Sequence, residues 1–161
     1  MEVLVHVEIS KNSRIKYELD KEYNMLICDR VLPTPFSFPF NYGFVPSTLS
    51  GDGDPLDVII FMEESLEPNT LIKCRIIDAL ETIDENGEDF KLICVPLKKV
   101  SFNESNIENI SDINSHFIEK IKYFYSHYKD FEKNKFVKIG NLIGKEKAIE
   151  IYKNSIINKN V

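Results

Sequence analysis

The spacing of apolar residues changes once along this chain, and that change restricts the fold more than any single motif. Across the first hundred residues, apolar side chains fall at every second position or in short runs. EVLVHVEI alternates as a half-buried strand does, and IKYEL, MLICDRVL, DVIIFM, TLIKCRIIDALETI and FKLICVPL read as further strands. From residue 111 to about 132, Ile113, Phe117, Ile118, Ile121, Phe124, Tyr125 and Tyr128 recur at helical spacing, with Ser111-Asp112 as the expected N-terminal cap. KEKAIEIYKNSI, just after Gly144, predicts a second short helix. Strands first and helices after predict an α+β chain, mainly β, whose many short strands form a curled sheet or small barrel with two helices packed outside it. No repeat, linker or low-complexity block interrupts residues 1–161, so one domain is expected.

Two connections stand out. Residues 33–49 carry Pro33, Pro35, Pro39 and Pro46, too many for a helix, and read as an ordered aromatic-rich loop. DENGED, at 84–89, holds Asn86-Gly87, a strong hairpin signal. With those two residues as the loop, Glu85 would face Glu88, Asp84 would face Asp89, and Lys91 would share the Asp89 face.

Composition narrows the function classes. The 161 residues carry a net charge of −6, which argues against a general nucleic-acid or anionic-membrane surface. No apolar run is long enough to span a bilayer, and MEVLVHVEIS lacks the basic flank and apolar block of a signal peptide. The three cysteines, Cys28, Cys74 and Cys94, sit far apart in apolar runs and form no C-x-x-C pair. They are expected to be buried free thiols, which makes a cytoplasmic protein the default.

The chemistry concentrates in SGDGDPLDVIIF, where Asp52, Asp54 and Asp57 crowd ahead of an apolar run. In extended chain Asp52 and Asp54 point the same way, and the glycines and Pro55 allow Asp57 to come round. Three ionised carboxylates this close need a compensating cation or a retained proton. Mg²⁺ takes such carboxylates together with phosphate oxygens; taken alone, the segment is equally well a solvated acidic turn. Lys16 and Glu18 share a strand face in IKYE and could simply pair, as Arg30 could with Asp29. Tyr42 in FNYGF and Tyr128 on the helix stripe read individually as packing residues. An EF-hand is excluded, because the position that must be Gly is Asp57. No Gly-rich phosphate loop accompanies DGDP, so a Walker-type nucleotide site is absent from the sequence. His6, His116 and His127 lack partners at ligand spacing.

Together these segments resemble the soluble family I inorganic pyrophosphatases of the short bacterial type. DGDPLDV at 52–58 matches the family's signature at every position, and VEISKNSRIKYELD, DRVLPTPFSFPFNYGFVPSTL, DENGEDFKLICVP and HYKDFEKNKFVKIG extend the resemblance along nearly the whole chain. The resemblance implies a highly twisted OB-like β-barrel, a homohexamer, and hydrolysis of pyrophosphate with several Mg²⁺ per site, Mn²⁺ or Zn²⁺ being possible substitutes. It implies Asp52, Asp57 and Asp89 as principal metal ligands, with Asp84 for the metals that arrive with substrate. Glu18 would lie among the metals and their waters, and Glu8 would be an acid outside them. Asp54 would be the base that takes a proton from metal-bound water, and Lys16, Arg30, Tyr42, Lys91, Tyr128 and Lys129 would bind phosphate. Ser10 and Asn12 depart from the family's usual Pro and Gly, Ile15 from a polar residue and Asp78 from a glycine, the last bringing the local backbone into question. Two other readings compete: an OB-like binding module for nucleic acid or phosphorylated ligands with structural metal, and a divalent-cation buffer. The net charge counts against the first, and Lys16, Arg30, Lys91 and Lys129 have no purpose in the second.

Overall fold

The computed structural model describes residues 1–157. Its strands are β1 (Glu2–Ile9), β2 (Ile15–Asp20), β3 (Met25–Val31), β4 (Asn41–Phe44), β5 (Asp57–Ile60), β6 (Thr70–Asp84), β7 (Gly87–Pro96) and β8 (Val137–Leu142), and its helices are α1 (Ser115–His127) and α2 (Lys145–Ser155). The main sheet runs β1-β4-β5-β7-β6-β8, and β1 also pairs with β6, which closes a ring of β1, β4, β5, β7 and β6. This is the mainly β, OB-like barrel with two helices expected from the pattern and the resemblance. Ring closure leaves few free sheet edges. Strand β6 makes it possible: its first half pairs with β1, its second half with β8, and β7 runs along most of its length. Register shifts between Ile76 and Asp78 and between Leu80 and Thr82 mark where it bends.

Alternation along β5 and β7 sorts the core into two clusters. Val58, Ile60, Leu92 and Cys94 join one, against which Ile149 and Tyr152 of α2 pack, while Ile59, Ile93 and Val95 join the other with Ile121, Phe124 and Tyr125 of α1. Both sheet faces are therefore covered, which explains the nearly unbroken apolar runs in these two strands. Gly43 sits where β4 crosses β1: a Cβ there would lie 1.9 Å from the His6 carbonyl oxygen. Only glycine permits that approach.

Several expectations are corrected. Residues 33–49 are not all loop, because Asn41–Phe44 pairs with β1 and β5. The prolines precede or follow this short strand, so its backbone donors remain available. The helix begins at Ser115, and its cap is Asn114, whose side chain accepts from the His116 backbone N–H; Ser111 and Asp112 belong to a preceding 3₁₀ turn. Asp112 instead accepts from the Glu108 and Asn109 backbone. Cys28 is exposed, while Cys74 and Cys94 are buried as expected.

The departures from the family pattern have local explanations. Asn12 takes φ of 72°, a left-handed conformation that asparagine tolerates. The Ser10 hydroxyl donates to the Leu66 carbonyl. Asp78 needs no positive φ; its buried carboxylate accepts from the backbone N–H groups of Ala79, Ile143 and Gly144 and so ties β6 to the start of α2. No helix among the described residues is long and apolar enough to cross a membrane.

Candidate active site

Five separate stretches converge on one cleft of about 510 Å³. The β2–β3 hairpin supplies Lys16, Glu18 and Arg30, and β4 supplies Tyr42. The turn before β5 supplies Asp52 and Asp54, with Asp57 at the strand's first position. The β6–β7 hairpin supplies Asp84, Asp89 and Lys91, and the end of α1 supplies Tyr128 and Lys129. Every residue singled out from the sequence as catalytic, metal-ligating or phosphate-binding lines this cleft.

Lys91 is its electrostatic centre. Its ammonium donates to Asp89 at 2.9 Å, to Asp57 at 3.0 Å and to the Tyr42 hydroxyl at 3.1 Å. Sheet pairing sets this up: β5 and β7 run parallel with Asp57 opposite Lys91, and Asp89 lies two residues from Lys91 on the same face. The rings of Tyr125 and Tyr42 lie 5.2 and 5.4 Å from the ammonium. Burial works against the charge, but Asp57, Tyr42, Tyr125 and Asp89 outweigh it and hold the Lys91 pKa well above its usual range. Asp89, itself buried, is pushed up to about 6; Lys91 opposes the shift and Asp57 adds to it. Burial also raises Asp52, helped by the neighbouring charges of Asp54 and Asp57, and carries Glu8 to about 7 despite its bond from the Leu19 backbone. Tyr42 is held well above the usual phenol range and Tyr128 at about 12, in both cases by burial first, so both stay protonated donors at neutral pH.

The acidic turn is not extended. Gly53 adopts φ of 88°, the Asp52 carboxylate accepts from the Asp54 backbone N–H at 3.0 Å, and the Asp54 carbonyl accepts from Ser50. Side chains two apart therefore do not share a side by strand alternation; the turn itself brings both to the cleft. Asp54 is the exposed member, Asp52 and Asp57 are half-buried, and Asp89 is buried.

The hairpin register also differs from expectation. Asp84 pairs with Gly87 and Thr82 with Asp89, so Glu85 and Asn86 form the turn and Asp84 does not face Asp89. Gly87, at φ of 112°, closes the hairpin from the first strand position after the turn rather than from within it. Asp84 still shares the Asp89 face, because two residues separate it from Thr82. Glu85, released from facing Glu88, reaches Lys129 at 3.5 Å and the Phe136 backbone at 3.4 Å. Lys16 pairs with Asp29 at 3.2 Å rather than with Glu18. A register shift leaves Asp29 unpaired in β3, beside Arg30 in the same strand and next to Lys16 across the hairpin, and its carboxylate serves both cations. Partial burial would raise Asp29, but Lys16 and Arg30 prevail and hold it below the usual carboxylate range.

Sequence reasoning gave no role to Glu132, which pairs with Arg30, or to Lys21 and Lys135 on the cleft wall; the Arg30–Asp29 pair it allowed is present, and it placed Glu85 on the hairpin without a partner in Lys129. Glu132 and Lys135 both lie in HYKDFEKNKF, where only Tyr128 and Lys129 received roles.

The donor chemistry fits a hard divalent cation: the cleft offers carboxylate oxygens, with no thiol or imidazole among its lining side chains, and burial first, with neighbouring carboxylates adding, raises Asp52 and Asp89. Among the described residues, however, no three His, Cys, Asp or Glu side chains are grouped tightly enough to enclose an ion. Lys91 stands between the two best placed, Asp57 and Asp89.

A family model described as inorganic pyrophosphatase matches residues 5–160. The inorganic pyrophosphatase of Helicobacter pylori is 43% identical over 152 residues, covering 94% of this chain and 88% of that protein. That of Nanoarchaeum equitans is 46% identical over 153 residues, covering 95% and 94%. A solved structure of the Helicobacter pylori enzyme superposes with a TM-score of 0.94 at 42% identity, over 96% of this chain and 91% of that one.

Proposed function

The chain belongs to the inorganic pyrophosphatase family, and from that premise we propose that it hydrolyses pyrophosphate to two orthophosphates, with Mg²⁺ as cofactor and Asp54 as general base. One observation carries the reading: a single cleft gathers the acidic turn, the acidic hairpin and six cations, Lys16, Arg30, Lys91 and Lys129 among them, from distant parts of the chain. Carboxylates alone would suit a cation store and cations alone an anion trap; their interleaving suits an anion that arrives with metal.

Pyrophosphate carries up to four negative charges that repel an attacking nucleophile. Asp52, Asp57 and Asp89, with Asp84 and Glu18 beside them, would hold Mg²⁺, which neutralises phosphate charge and acidifies water. Lys16, Arg30, Lys91 and Lys129 bind the phosphoryl oxygens and stabilise charge on the leaving phosphate. Tyr42 takes its hydrogen bond from Lys91, so its own hydroxyl proton is free for a phosphate oxygen, as is that of Tyr128. Asp54 is the exposed carboxylate of the turn, without an ion pair among the described residues, and takes the proton from the attacking water. Partial burial lowers the Lys129 pKa even against Glu85 and Asp84.

Residues 1–161 are proposed to act as one domain, in a cytoplasmic homohexamer. The decisive assay follows phosphate release from pyrophosphate by purified protein in excess Mg²⁺. Steady release above the buffer control is expected, and none would reject the reading.

A further inference from the structure

Arg30 is gripped from two sides. Its Nε donates to Asp29 at 3.0 Å, and its Nη1 meets Glu132, which comes from the segment after α1. Asp29 is not Arg30's alone, since the same oxygen serves Lys16 at 3.2 Å. Two cations share that one carboxylate, and Glu132 gives Arg30 a second carboxylate that Lys16 does not share. Both side chains of the Arg30–Glu132 pair are about one-fifth exposed, at 20% and 18%, so solvent screens them less than a surface pair.

Glu132 has an unusual feature. Its second oxygen, Oε2, is buried and has no hydrogen-bond partner among the described residues. A half-satisfied carboxylate in such a place is costly unless its other contact matters. That contact is Arg30. The Glu132 backbone is itself fixed, donating to the Lys129 carbonyl at 2.9 Å. The pair therefore links β3 to the segment that carries Tyr128 and Lys129, joining two walls of the cleft.

We propose that Glu132 is a positioning residue that orients the Arg30 guanidinium for phosphate. A planar guanidinium held at Nε and Nη1 has its rotation fixed, and Nη2 is the donor group left for an oxyanion. The role concerns binding and alignment of substrate rather than proton transfer, so it belongs in KM before kcat. It rests on the pyrophosphate reading above.

The test is a double-mutant cycle in Mg²⁺ with pyrophosphate. Glu132→Gln keeps the shape and removes the charge; it is expected to raise KM about tenfold, the scale of one charge-assisted hydrogen bond, and to change kcat less than about threefold. Glu132→Asp keeps the charge on a shorter arm and is expected to fall between. In an Arg30→Lys background, which lacks the fork, Glu132→Gln is expected to add nothing. An unchanged KM in Glu132→Gln, or fully additive effects with Arg30→Lys, overturns the proposal; if the Gln variant fails to fold, the Asp variant is read against the same two criteria. Calorimetric binding of imidodiphosphate, a non-hydrolysable analogue, repeats the cycle without turnover. Absent hydrolysis by the wild-type protein would therefore reject the proposed function, while uncoupled analogue binding would reject only the role of Glu132.

Discussion

Replacing Lys91 by methionine tests whether one ammonium makes the acidic cleft tolerable. The side chain is buried and holds Asp57 at 3.0 Å, Asp89 at 2.9 Å and the Tyr42 hydroxyl at 3.1 Å. Methionine keeps the length and apolar stem and leaves two carboxylates without their cation. Breaking a buried ion pair from one side costs about 3–5 kcal/mol. In a chain of this size each kcal/mol moves Tm by roughly 2–4 °C, so a fall of about 6–20 °C is expected at pH 7.5 in EDTA. The pH dependence has a fixed sign. Asp89 ionises at 3.8 unfolded and about 6 folded, so its cost accumulates as pH rises through that window and is complete above it. Without Lys91, which opposes the upward shift, the cost grows, so the gap between variant and wild type is widest above pH 7 and narrows towards pH 4. Mg²⁺ should narrow it too, because a divalent ion binding the more negative folded state stabilises the variant by mass action. Denaturant titrations at three pH values, with EDTA or Mg²⁺, read all of this. A Lys91→Met protein as stable as wild type at pH 7.5 in EDTA, or a gap indifferent to pH, would refute the reasoning.

Three further outcomes are expected. Asp54→Asn should retain metal binding and lose most turnover, whereas Asp57→Asn should first raise the Mg²⁺ concentration needed for phosphate release; equal loss of metal affinity in both would remove Asp54 as the base. Glu8→Gln keeps an acceptor for the Leu19 N–H and removes an acid whose pKa rises from 4.5 to about 7 on folding. The native carboxylate loses stability as pH climbs through that interval, so the variant should gain relative to wild type between pH 4.5 and 7, by up to ~3 kcal/mol, in paired urea titrations. Gly43→Ala places a methyl 1.9 Å from the His6 carbonyl oxygen and must part β1 from β4; the soluble, folded fraction by circular dichroism should collapse, and a normal melt would contradict the packing described.

Strands β1–β3 and β5–β7 and the second helix were legible because their apolar periods are strong and their ends are marked by Gly, Asn and Pro; β8 was not expected, its VKIGNL being short and only half-buried. What escaped the pattern was set by contacts distant in sequence. Strand β4 is four residues long among prolines and exists because β1 and β5 flank it. The DENGED hairpin carries the right turn residues but admits two registers, and β6 chooses the one in which Thr82 faces Asp89. Local spacing suggested a Lys16–Glu18 pair; the irregularity in β3 brings Asp29 in instead. Site residues in dense motifs were visible from their crowding, whereas Glu132 and Glu85 were not, since each matters through a cation supplied by another segment.

These missed carboxylates share a logic with the visible ones. Arg30 rests against Asp29 and Glu132, Lys16 against Asp29, Lys129 against Glu85 and Asp84, and Lys91 against Asp57 and Asp89. Each cation assigned to phosphate thus already has an anionic partner, while Asp52, Asp54 and Glu18 have no cation partner among the described residues, so the cleft keeps an excess of carboxylate. A substrate anion arriving alone would have to displace carboxylates from their cations, and a metal arriving alone would meet Asp52 and Asp54 freely but reach Asp57 and Asp89 only by displacing Lys91. Arriving together, they exchange partners pairwise, with carboxylates turning to metal and ammonium groups to phosphate, at little net electrostatic cost. On the proposed function, that exchange would favour metal and pyrophosphate binding as a unit, and Lys91, the most buried of these cations, would have most to exchange.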